Sequence, residues 1–108
     1  MIKKDQVYIE HILEAITKIE NFSKGISRFD FDRNVMIQDA IIRNIEIIGE
    51  ATKKISNGFT QRQQEIPWSE MAGMRNKLIH DYMDVDLDVV WKTIEVDLPL
   101  LKELISNI

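Results

Sequence analysis

Isoleucine recurs along this chain at intervals of three and four residues, and that spacing is what limits the folds open to it. Ile9, Ile12, Leu13, Ile16 and Ile19 form the first such series. At 100° per residue they fall on one stripe of a helix, whereas a strand would scatter them over both faces. The spacing predicts a helix over about residues 4 to 23. His11 projects about 135° from the centre of that stripe, so it is expected as a solvated surface histidine. Gly25 marks a break, and residues 27–32 read as a loop with two aromatic anchors, Phe29 and Phe31, reaching into the core.

A second, longer helix is expected from a cap at Asp32 to a stop at Asn57-Gly58, a pair suited to a left-handed C-terminal turn. Ile37, Ile41, Ile45, Ile48 and Ile55 form its buried stripe. The opposite side carries Asp39, Arg43, Glu46 and Glu50 within about 60° of arc, bordered by Met36, Ile42 and Ile47. Two readings fit this strip. One is a solvated face laced with pairs such as Asp39 with Arg43, each contributing about 0.2–0.5 kcal/mol. The other is a subunit interface, which would explain apolar residues flanking a polar strip.

Residues 59–66 are polar and read as irregular, and Pro67 suits the first turn of a third helix running to His80. Within it, Gly73-Met74-Arg75-Asn76-Lys77-Leu78-Ile79-His80-Asp81-Tyr82 gathers most of the chain's recognisable chemistry. Arg75 is a permanent cation, His80 exchanges a proton near neutral pH, and Tyr82 adds a phenol, a set suited to handling phosphate. On an unbroken helix, residues five apart diverge by about 140°. Either the helix ends between Arg75 and His80, or the two side chains flank a cleft that another subunit completes. Asp84 or Asp86 then caps a fourth helix, whose seam of Leu87, Trp91, Ile94, Leu98, Leu101, Ile105 and Ile108 runs through Pro99. The proline predicts a kink or a break near residues 95–99.

Four to five helices without strand-like alternation give an all-α, up-and-down bundle, expected as one domain over residues 1–108. An apolar fraction of 44% in 108 residues is enough for a core without metal or disulfide. The absence of cysteine excludes thiolate sites, and two histidines are too few for an all-histidine zinc site. Neither the paired Glu-x-x-His of a di-iron bundle nor a glycine-rich phosphate loop occurs. No cofactor is expected. A net charge of −4 argues against a broad nucleic-acid surface and confines any RNA contact to a local site. With no secretory leader or membrane span legible, a cytoplasmic protein is expected.

The run Arg75-x4-His80-x-Tyr82, with Asn76 after the arginine, resembles the Arg-x4-His-x-Tyr signature of HepT toxins in the HEPN superfamily. The likeness extends through residues 42–51, 66–68, 73–76 and 85–91, several segments in the expected order rather than one short motif. It implies a homodimeric, metal-independent ribonuclease acting on RNA, paired with a MntA-like nucleotidyltransferase antitoxin. It implies further that Arg75 and His80 are the catalytic pair in a cleft between protomers, supported by Asn76 and Asp81, and that Tyr82 receives AMP. Arg43, Glu46 and Glu50 are candidates for the cleft or interface. One His80 per chain cannot be base and acid at once, so two copies in one cleft would supply both roles. The alternative is a non-catalytic HEPN module that binds nucleotide, RNA or a nucleotidyltransferase partner.

Overall fold

The computed structural model describes residues 3–81 and 84–108, and for His80 and Asp81 the backbone alone. Helix α1 (Lys3–Ser23) buries Ile9, Ile12, Ala15, Ile16 and Ile19. Its stripe lies against that of α3 (Val35–Lys53), which buries Ile41, Ile45, Ile48 and Ala51, in the most extensive contact of the molecule. Each fully buried isoleucine contributes about 1.5–3 kcal/mol of transfer free energy. Ile37 is half-buried and Ile55 is buried just beyond the helix end.

The connection between these helices is more ordered than its sequence suggests. Ser27 accepts the amide of Asp30 and caps a short helix, α2 (Arg28–Asp32). Phe31 is buried against Trp91, with ring centroids 5.2 Å apart. Phe29 stays 63% exposed with the Arg33 guanidinium over its ring, so the segment has one core anchor rather than two. The expected cap at Asp32 is also corrected. Asp32 lies inside α2 and pairs with Arg28, while the Asn34 side chain accepts the Ile37 amide at 3.0 Å and starts α3.

Asn57-Gly58 opens a helix rather than closing one. Ser56 caps α4 (Asn57–Arg62), which buries Phe59 where an irregular segment was expected. The reason is a long-range lock: buried Asp5 of α1 accepts both the Ser56 amide (2.9 Å) and its hydroxyl (2.7 Å). Such a contact has no local sequence signature. The Ser56 hydroxyl bond chiefly, and then the Ser56 amide, hold the Asp5 carboxyl below its ordinary value of 3.8.

The expected third helix is divided into α5 (Trp68–Ala72), α6 (Met74–Leu78) and strand β1 (Ile79–Asp81). Strand β2 (Asp84–Val85) pairs antiparallel with β1, so a small ladder interrupts an otherwise all-α bundle. Asp86 accepts the Val89 amide and caps α7 (Leu87–Lys92). The anticipated kink takes the form of a π-helical turn over Thr93–Asp97, in which the Leu98 amide donates to the Thr93 carbonyl. Helix α8 (Leu98–Ser106) follows with Pro99 in its first turn, where no amide is needed. One wide turn thus absorbs the proline without a break, and Leu98, Leu101 and Ile105 remain buried along the seam. Among the described residues no helix is long and apolar enough to cross a membrane.

Candidate active site

Close packing of backbone on backbone sets the position of the site. Gly49 of α3 lies beneath the end of α5, where an added Cβ would stand 3.2 Å from the Ala72 carbonyl oxygen. Only a glycine lets the two helices approach this closely without displacement. Upstream, the Trp68 indole donates to the Gln63 carbonyl at 3.0 Å and orients α5. The Gly73 carbonyl accepts the Asn76 amide as the chain turns into α6. Arg75 is thereby brought beside α3 one turn before Gly49.

There the Arg75 Nε donates to Glu46 Oε2 at 3.0 Å. Glu46 is half-buried and Arg75 exposed, so the carboxylate is the more enclosed partner of the pair. Only Nε of the guanidinium is engaged among the described residues, which leaves both terminal nitrogens as a parallel donor pair for an anion. Asn76, on the same helix, is exposed.

The remaining strip residues are placed but not gathered. Arg43 and Glu50 are exposed on α3, and Glu50 pairs with Lys53 at 3.5 Å. Among the described ion pairs, none joins Asp39 to Arg43. Of the apolar border, Met36 is 84% exposed and Ile47 half-buried, whereas Ile42 belongs to the core. His11 is exposed on α1, edge-on to the Tyr8 ring at 6.0 Å.

Between Arg75 and His80 the helix ends. Ile79, at φ −118° and ψ 109°, is already extended. The Asp86 amide donates to the Leu78 carbonyl at 2.8 Å, closing α6 from across the hairpin. Asp86 therefore caps two helices at once, one with its backbone and one with its side chain. His80 and Asp81 are carried on β1 rather than on a helix face, so the helix does end between Arg75 and His80. The side chains of His80 and Asp81, and all of Tyr82, lie outside the described residues. Sequence reasoning missed Gly49 and the Asp86 amide. A glycine amid the isoleucines of α3 was the available signal for the first, and nothing local marks the second.

An all-α bundle with an arginine at a helix end and a histidine on the hairpin that follows defines a class, and comparison with known proteins identifies it. The family described as "Ribonuclease HepT-like" matches residues 12–108. A protein of Thermococcus cleftensis named "Probable ribonuclease HepT" is 50% identical over 102 residues, 94% of this chain and 93% of that one. One of Caldanaerobacter subterraneus subsp. tengcongensis, named as a "putative RNase", is 38% identical over 107 residues, 99% of this chain and 96% of that one. A longer protein of Methanocaldococcus jannaschii, named as a gamma-glutamylcyclotransferase and "putative RNase", is 44% identical over 108 residues, all of this chain but 49% of that one. No solved structure matches. The chain belongs to the HepT-like family of the HEPN superfamily.

Proposed function

We propose that this chain is a metal-independent endoribonuclease, the toxin of a HEPN and nucleotidyltransferase toxin–antitoxin pair, acting as a cytoplasmic homodimer of single HEPN domains. The observation that carries the reading is the end of α6 between Arg75 and His80, with Glu46 holding Arg75 by Nε alone. Family membership and the names of the relatives support it. In this reading a 2′-hydroxyl attacks the adjacent phosphorus, forming the 2′-O–P bond and breaking P–O5′. One His80 takes the 2′ proton and the second protomer's copy gives a proton to the departing 5′ oxygen. The paired terminal nitrogens of Arg75 offset the charge that builds on the phosphorane. Asn76, which follows Arg75, and Asp81, which follows His80, are assigned supporting roles in this reading.

The interface of this reading is the α3 strip of Asp39, Arg43, Ile47 and Glu50. It begins at Val35 and Met36, both largely exposed, with exposed Phe29 nearby in the chain. Exposed apolar side chains at the end of a polar strip suit an isologous contact. Neutralisation is by AMP transfer to Tyr82 from a MntA-like partner. The phenol oxygen forms a bond to the α-phosphorus of ATP, and pyrophosphate leaves. A bulky anion two residues from His80 would compete with RNA phosphate for Arg75.

The test is cleavage of single-stranded RNA by the purified protein and by a His80→Ala variant of matched circular dichroism. Loss of cleavage in the variant is expected. Equal activity in both would remove His80 from the chemistry, and no activity in the wild type would favour a binding module.

A further inference from the structure

A cleft lies on the far side of α6 from Glu46. Arg75 and Lys77 are two residues apart on that helix, so they diverge by about 160°. Lys77 stands at the rim of an open cleft of about 490 Å³ between α5, α6 and the C-terminal helices. That volume is within the roughly 300–1,000 Å³ common to small-ligand sites. The floor is apolar, made by Met71, Met74 and Leu101, all buried. The π-helical turn forms one wall, and such turns occur frequently at functional sites.

The rim is charged in a way that its own ion pairs leave unused. Lys77 enters no ion pair among the described residues, and Lys92 reaches Asp97 only at 3.9 Å. Lys77, together with Lys92 in its long pair to Asp97, stands over an apolar, methionine-lined floor that suits an anion with a flat apolar body. Methionine sulfur makes favourable contacts with aromatic edges. Glu70 and Asp97 also line the cleft, and their carboxylates would repel phosphate but accept amino hydrogens from a base edge.

The geometry points to this cleft as a base-binding subsite for single-stranded RNA, holding an unpaired base that bears an exocyclic amino group, with Lys77 and Lys92 on the adjoining phosphate. It rests on the ribonuclease reading and extends it. A strand whose scissile phosphate lies at Arg75 would cross the short helix α6 to reach the cleft. Cytosine, adenine and guanine each carry an exocyclic amino group for the carboxylates, whereas uracil has none.

The probe is a 2′-O-methyl RNA hexamer, uncleavable because its nucleophile is blocked, titrated into protein carrying 13C-methyl methionine. Oligocytidine is expected to shift the Met71 and Met74 methyl signals, and oligouridine to bind more weakly. Lys77→Ala/Lys92→Ala, at two exposed positions, should bind oligocytidine about tenfold more weakly and lower the salt dependence by about one unit of slope per lysine. The subsite is overturned if Met71 and Met74 do not shift while wild-type protein cleaves RNA. Equal binding by the double variant overturns it too, as does a double variant that loses only a nucleotidyltransferase partner. Should the methyl signals shift in a protein that cleaves no RNA, the subsite stands and the ribonuclease reading falls.

Discussion

In the proposed reaction Arg75 would work through geometry more than through charge. Glu46 fixes Nε at 3.0 Å, and the two terminal nitrogens are left as a parallel pair matched to two oxygens of one phosphate. Lysine keeps the charge but not the pair. Arg75→Lys is therefore expected to lower kcat/KM for RNA about 100-fold, roughly 2.7 kcal/mol of transition-state stabilisation, with the fold intact. Activity within about threefold of wild type would make Arg75 a structural cation. Tyr82 poses the opposite test, because a phenol that ordinarily titrates near 10 is a poorer base at neutral pH than an imidazole. Tyr82→Phe should retain cleavage and escape AMP transfer by a nucleotidyltransferase given ATP and magnesium. Mass spectrometry should find AMP on Tyr82 of the wild type, and AMP on any other residue contradicts the assignment.

At the level of elements, contacts remote in sequence set the joints. The Asp5 carboxylate binds two donors of Ser56 and ties α1 to the start of α4. Because these bonds lower its titration in the folded chain, the stability they confer is present above the ordinary 3.8 and is lost as pH falls through the lower, folded value. Asp5→Asn should cost about 1–3 kcal/mol in urea unfolding at pH 7, with the gap from wild type closing in acid. A gap that does not depend on pH would exclude the charged hydrogen bonds as its source. Gly49→Ala should push Ala72 by a few tenths of an ångström, disturb the Arg75–Glu46 pair and lower activity. Its stability cost is about 1 kcal/mol, since overpacking outweighs the gain in helix propensity. What was legible beforehand divides along the same line. The isoleucine stripes of α1 and α3 and the seam through Leu98, Leu101 and Ile105 could be read because helical period is a local property. The cap at Ser56 and the closure of α6 at Leu78 could not, because Asp5 and Asp86 act on them from other elements. The candidate residues Arg75, His80 and Tyr82 were legible as a motif. The partnership of Glu46 with Arg75 was not, since 29 residues separate them.

At the scale of the whole molecule, one chain has one His80 and the reaction needs a base and an acid. A homodimer closing on the α3 strip, as proposed, would meet that need, and light scattering should then give about twice the 12.7 kDa chain mass. A strict monomer at micromolar concentration would remove the shared cleft, since dimers with sub-micromolar dissociation constants remain associated there. Cleavage by the protein's own side chains through the 2′-hydroxyl is read from the chemistry of the new ends when the purified protein digests single-stranded RNA in excess EDTA. The predicted result is cleavage with a 2′,3′-cyclic phosphate on one fragment and a 5′-hydroxyl on the other, lost in His80→Ala. Fragments ending in 3′-hydroxyl and 5′-phosphate, or cleavage abolished by EDTA, would contradict it.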